Sequence, residues 1–254
     1  MALTKLALAI EYEGTRYHGF QLQSNAPTIQ GEMEMALWRL TEERTRVIAA
    51  SRTDAGVHAK GQIVSFRTES ALPPQTFVRA LNYYLPKDIA VKTACAVGEE
   101  FNVRRDAISR EYHYYIMNRP SRSPFKQGFA YLVPKELDIE AMNQACQRLL
   151  GEHDFASFAT AMGNEIVSTV RTIHKARLVK KNSLAIFEMV ANSFLPHQVR
   201  NTIGALLNVG LGRMGVGEFG QRTEAKTPGS AGPTAPPYGL FLMKINYPIS
   251  FEEQ

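Results

Sequence analysis

Residues 51–59 read Ser51-Arg52-Thr53-Asp54-Ala55-Gly56-Val57-His58-Ala59, a turn of small residues set directly before Val57 to Phe66, which reads as a strand. Asp suits such a turn because its carboxylate hydrogen-bonds nearby backbone, and Gly because it accepts left-handed conformations. The strand then fixes the backbone while the turn holds Asp54 outward. The same residues also allow a bland turn in which Asp54 only ties its own backbone and Arg52 faces solvent. His58, a lone histidine in this stretch, reads as a loop-positioning residue.

On the amino-terminal side, Leu6, Leu8, Ile10 and Tyr12 alternate with Ala7, Ala9 and Glu11, which predicts an opening strand. Thr28 prepares a helix whose apolar face is Ile29, Met33, Ala36, Leu37 and Leu40, with Met33, Met35 and Trp38 assigned to ordinary core packing rather than to a cofactor or peptide groove. After the turn, Gln75–Leu85 reads as a short helix, and Ile89–Val97 and Tyr112–Ile116 as strands.

Arg119–Gly128, with two prolines and several cations, marks a junction. Beyond it, Asp138 caps a helix over Ile139–Leu150 with Gly151 near its stop. Strands are predicted at Thr169–Val179 and Leu184–Asn192, a helix over His197–Leu211 and a terminal strand at Leu240–Tyr247. Thr227–Gly239 reads as a surface loop, and the glycine-bearing stretch Gly210–Gly220 as a flexible loop or a closely packed segment. The mixture lacks a regular β-α alternation, so the expected class is α+β. The divisions are residues 1–118 carrying the Asp54 loop, a junction at 119–133, and a second α+β half at 134–254.

The chain carries 29 Lys and Arg against 24 Asp and Glu, a formal charge of +5, which favours an anionic partner only weakly. Cys95 and Cys146 show no metal-ligand spacing, and His18, His113, His153, His174 and His197 form no zinc motif with them, so no metal is expected. Gly210–Gly220 lacks the Walker Lys-Ser/Thr ending and the dinucleotide fingerprint, which removes the usual grounds for a nucleotide cofactor. Met1–Leu8 has no apolar signal core and no run approaches the roughly 20 apolar residues needed to span a bilayer. A soluble, cytoplasmic protein without a membrane partner is expected.

Arg52 through Ala59 closely resembles the catalytic stretch of the TruA-type tRNA pseudouridine synthases. The likeness extends to Gly14-Thr15, Tyr17-His18-Gly19-Phe20-Gln21, Phe101 through Tyr115, His153-Asp154-Phe155 with Phe158, Ser193-Phe194-Leu195, His197-Gln198-Val199-Arg200-Asn201 and Thr234 through Leu240. It implies a pseudouridine-synthase-like fold: two similar α+β subdomains with antiparallel or mixed sheets flanking a central active-site cleft. It also implies a cofactor-free homodimeric isomerase acting on uridines at positions 38, 39 and 40 of the tRNA anticodon stem-loop.

Residue by residue, the resemblance places the catalytic carboxylate on Asp54, the active-site arginines on Arg52 and Arg200, and the base-stacking ring on Tyr112. Arg52 and Arg200 stand 148 positions apart, so their meeting depends on tertiary folding. One of them is expected to hold Asp54 ionised through a bidentate hydrogen bond while the other contacts a phosphate. Asp54 either attacks C1′ or removes the 2′ proton, and both routes need its anion.

Arg104, Arg105 and Arg110 near the aromatic strand are candidate RNA contacts, with Arg119, Arg122 and Lys126 beyond them, and a later cluster runs from Arg171 to Lys181. Asn102, Val103 and Asp106 depart from the family's commoner residues, and Ser51 replaces its usual Gly. Two other readings remain open at this stage: an inactive RNA-binding relative, and a uridine isomerase with a different RNA target.

Overall fold

The computed structural model describes residues 3–160 and 168–248. The chain divides into two compact units, one formed by Met1–Arg110 with Leu242–Gln254, the other by Glu111–Phe241.

In the first unit, β1 (Thr4–Tyr12) pairs along both edges, and because consecutive side chains point to opposite faces, the burial of Ala7 alongside Leu6 and Leu8 shows that both faces are covered in its middle. The helix α1 (Ile29–Thr41) starts at Thr28, whose side chain accepts from the Gly31 amide at 3.2 Å, and stops at Glu42 in a left-handed conformation. The Thr28 side chain prescribes the start, whereas the left-handed stop, more usual for glycine, is taken here by Glu42 with its amide donating to the Trp38 carbonyl. Met33 is buried, but Met35 and Trp38 stand about half exposed, so core packing covers only the first of the three. Their positions, two and five residues beyond Met33, turn them off its buried stripe.

The short β2 (Ile48–Ala49) pairs with β3 (His58–Thr68), and α2 (Pro74–Tyr84) begins with a proline whose missing amide costs nothing there. Asn82 ties α2 to β4 (Ile89–Val97) by exchanging two hydrogen bonds of 2.8 Å with Val91. Antiparallel pairing joins β1 to β3 and to β4. The turn between β2 and β3 therefore springs from the middle of this sheet.

The unit boundary at Arg110/Glu111 falls inside β5 (Ser109–Asn118). The stretch 119–133, expected as a junction, lies within the second unit and ends in β6 (Tyr131–Val133), which runs parallel to β5. The pairings of β1 with β3 and β4, of β2 with β3, and of the later strands between residues 151 and 191 are antiparallel, so the sheet structure is mixed and the α+β class holds. Asp138 caps α3 (Ile139–Gln147) by accepting from the Ala141 amide at 2.9 Å; the helix ends short of the predicted Leu150, and β7 (Gly151–Asp154) follows. That strand is polar and only four residues long, too short to show a period of its own.

β7 pairs with β8 (Val170–Lys181), and β8 with β9 (Leu184–Ala191). The long helix α4 (Gln198–Gly210) is buried on nearly every face. Two loop readings need correction here. Residues Val216–Glu224 form α5, anchored by buried Phe219, a short helix that the glycines at 212, 215, 217 and 220 disguise. The stretch Thr227–Gly239 includes buried Ala231, Ala235 and Gly239, so it is a packed loop and only partly a surface one. A Cβ on Gly204 of α4 would lie 1.6 Å from the Pro233 carbonyl oxygen, which is how closely that loop lies on the helix. β10 (Leu240–Asn246) is the last strand among the described residues and crosses the second boundary, Phe241/Leu242.

Candidate active site

Asp54 sits on a tight turn: the Val57 amide donates to the Asp54 carbonyl at 3.2 Å, with Gly56 in the left-handed region at φ 75°. Both sides of the turn are clamped. On its entry side, Gln62, wholly buried in β3, donates to the Ser51 carbonyl at 2.6 Å and accepts from the Ser51 amide at 3.2 Å. Thr53 is held twice: its side-chain hydroxyl shares a buried 2.8 Å hydrogen bond with the Tyr12 hydroxyl, and its carbonyl accepts from the Phe20 amide at 3.0 Å. On the exit side, the Gly56 amide donates to the Tyr17 carbonyl at 3.2 Å.

Thus Tyr17-His18-Gly19-Phe20 acts as a strap across the turn. His58 takes the positioning role expected of it: it is 1% exposed and its Nδ1 accepts from the Gly14 amide at 3.0 Å. Gly14 is pressed so closely on this segment that a Cβ there would stand 2.0 Å from the Val57 carbonyl oxygen. The strap itself is moored at its start, where Arg16 and the Tyr17 hydroxyl both bond the Asp88 carboxylate, at 2.6 Å each.

Of the four expected cations in this unit, Arg52 and Arg104 are exposed and near each other. Burial lowers the Arg104 pKa, and the positive charge of Arg52 lowers it further. Two like charges held together make a ready anion site. Arg105 is exposed but paired with Asp106 at 2.8 Å, which tempers its charge.

Arg110 does not suit the surface role expected of it. It is 6% exposed and its guanidinium donates to the carbonyls of Ala107, Arg104 and Ala50. It therefore braces the Arg104 segment against the residue that leads into the Asp54 loop, through hydrogen bonds strengthened by its charge. Gln62 is a positioning residue that the sequence did not single out, and Arg110, expected as an RNA contact, is placed as a positioning residue instead. A glutamine facing inward beside Ile63 and Val64 was the available signal.

In the second unit, Tyr112 lies in β5, 5% exposed, with its ring edge-to-face against Phe194 at a centroid distance of 5.2 Å. Arg200, in the first turn of α4, donates from Nε to the Ala235 carbonyl at 2.8 Å, and the Ala235 amide returns a bond to the Arg200 carbonyl at 3.1 Å. Asn201 donates to the Phe158 carbonyl at 2.7 Å and accepts from the Thr234 hydroxyl at 2.6 Å. The Tyr114 hydroxyl donates to the Pro236 carbonyl; burial pushes its pKa up strongly, neighbouring Tyr238 and Tyr131 add to the rise, and the charge of Arg200 opposes it. Motifs far apart in sequence, around Phe158, Arg200 and Thr234, thus converge on the start of α4.

Comparison with known proteins gives this arrangement its relatives. The sequence profile of the family described as "tRNA pseudouridine synthase" matches residues 8–106 and 145–248. The chain is 40% identical over 248 residues to a tRNA pseudouridine synthase A of Methylacidiphilum infernorum, covering 98% of this chain and 97% of the relative. It is 41% identical over 245 residues to one from an Exiguobacterium species, with 96% and 98% covered. A third, from Francisella tularensis subsp. novicida, is 41% identical over 248 residues, with 97% and 96% covered.

Proposed function

The chain belongs to the tRNA pseudouridine synthase family, and from that premise we propose that it isomerises uridines at positions 38, 39 and 40 of the tRNA anticodon stem-loop, with Asp54 as the reacting carboxylate. The observation that carries the reading is the clamped turn: Thr53 and Gly56, the neighbours of the Asp54-Ala55 pair, are each tied to a different element of the same unit. A carboxylate whose backbone cannot drift is what a reaction at one sugar carbon needs.

Isomerisation breaks the N1–C1′ bond, turns the uracil and joins C5 to C1′, with a proton lost from C5 and one gained at N1. Every heavy atom of the uridine stays in the product and no net redox change occurs, so the chain's own groups suffice and no cofactor is invoked. Asp54 serves either as nucleophile at C1′ or as base toward the 2′ proton. Arg52 and Arg104 hold a phosphate of the substrate, Arg200 is the second active-site cation, and the Tyr112 ring steadies the base once it leaves the stack. The enzyme works as a homodimer in the cytoplasm.

The test maps pseudouridine in a mixed tRNA pool treated with wild-type protein and with D54N, alongside equilibrium binding of the same pool. New pseudouridine at the three anticodon-arm positions is expected with wild type, and a fall of at least about a hundredfold with D54N at near-intact affinity. Comparable single-turnover product from D54N rejects the role of Asp54; product confined to another arm rejects the substrate site.

A further inference from the structure

Phe125 is the most exposed large apolar side chain among the described residues, 93% open to solvent. It sits in a single 3-10 turn, Pro124–Lys126, at the tip of the loop that follows β5. From Pro120 to Gln127 every side chain except Ser123 is exposed. An unstructured loop would explain such exposure, but this one has a defined shape. The Lys126 and Gln127 amides both donate to the Ser123 carbonyl at 3.1 and 3.0 Å, and the Phe129 and Ala130 amides to the Lys126 carbonyl at 3.0 and 3.1 Å. Arg119 turns its guanidinium back onto the Ser121 and Arg122 carbonyls at 2.8 Å each. Pro124 fixes the backbone just before the ring.

The charge around the ring is of one sign. Arg122 and Lys126 flank it and are exposed, and no Asp or Glu occurs from Arg119 through Lys135. A flat apolar ring held out between two cations on a rigid turn matches one kind of surface well: a nucleic-acid base between its phosphates. A second copy of this chain meeting the loop symmetrically would bring the same cations face to face, which their charge disfavours.

We propose that this loop is a contact surface for tRNA in addition to the Asp54 loop, with Phe125 stacking on an unpaired base and Arg122 and Lys126 holding the phosphates beside it. The inference rests on tRNA being the substrate, and neither on which uridine is converted nor on the role of Asp54. Stacking of this kind tolerates any base, so the loop adds grip and orientation without reading sequence.

The experiment measures equilibrium binding of a mixed tRNA pool across a salt series for full-length wild type, F125A, F125W and R122A/K126A, with the molar mass of each followed by light scattering. F125A is expected to bind about tenfold more weakly with an unchanged salt slope, and F125W to restore the affinity, because a larger ring stacks at least as well. R122A/K126A is expected to flatten the log–log salt slope by about one to two, the value of one or two lost phosphate contacts. Unchanged affinity in F125A overturns the proposal. So does a loss of affinity that appears only together with a fall from dimer to monomer mass, which assigns the ring to a second copy. Pseudouridine mapped outside the anticodon arm sinks the substrate-site reading instead, and these binding curves still decide the loop.

Discussion

The Tyr12 and Thr53 hydroxyls share a buried hydrogen bond of 2.8 Å, which joins the end of the first strand to the residue before Asp54. Tyr12 is at once the last residue of β1 and a fixed post for the Asp54 turn, so the sheet sets where the backbone beneath that carboxylate stands.

Y12F removes that post's hydroxyl and leaves the Thr53 hydroxyl without its buried partner. The variant is expected to lose about 1–2 kcal/mol of stability in urea titrations, and several-fold in the saturated single-turnover rate, with tRNA affinity maintained. A rate equal to wild type shows that the Asp54 turn holds its position without β1.

Gly14→Ala places a methyl 2.0 Å from the Val57 carbonyl oxygen, a backbone atom that cannot swing aside. The clash is expected to cost about 1–3 kcal/mol as the backbone shifts and to reduce the chemical rate more than Y12F does. Thermal unfolding and single-turnover assays read the two effects. Wild-type values in both contradict the close packing of this segment.

Tyr112 packs edge-to-face on Phe194, so its two substitutions separate ring from hydroxyl. Y112F keeps the aromatic body and is expected to retain most base interaction, whereas Y112A loses about 1–3 kcal/mol of it. Equal activities for the two variants show that the ring is not the base platform; a severe Y112F defect alone implicates the hydroxyl.

Arg200 already uses Nε on the Ala235 carbonyl, and a lysine has a single nitrogen that cannot serve that carbonyl and also offer a planar fork. R200K is expected to fold and bind tRNA yet lose saturated chemistry more severely than Arg177→Lys. Weaker affinity with altered salt dependence and normal saturated chemistry assigns Arg200 to phosphate contact alone.

Glu188 in β9 accepts from Lys175 at 2.6 Å and Arg177 at 2.8 Å. Burial pushes its pKa up, but the two cations outweigh that and hold it below the usual glutamate range. A depressed folded pKa contributes stability that is present above the unfolded value of about 4.3 and is lost as pH falls through the folded value. E188Q should therefore lose stability near neutrality and show a shallower decline below about pH 4.3. Parallel acid limbs for the two proteins contradict the pairing.

Much of this protein was legible in its sequence. The alternation of Leu6, Leu8, Ile10 and Tyr12, the caps Thr28 and Asp138, and the Asp-Ala-Gly turn are local codes, because a period, a cap or a turn is set by residues within a few positions of one another. The turn that carries Asp54 was also readable directly, since its residues are contiguous. Other features depend on neighbours distant in the chain. That Gln62 grips Ser51, that Arg110 is a buried brace and not a surface cation, and that 227–239 lies packed on α4 follow from burial, and burial is decided by what the rest of the chain brings alongside. The polarity of Arg110 argued for water; three backbone carbonyls took its place. Sequence determined which chemical groups the protein has and the local shapes that carry them, while only the tertiary structure decided which of those groups are fixed inside and which, like Phe125, are left facing solvent.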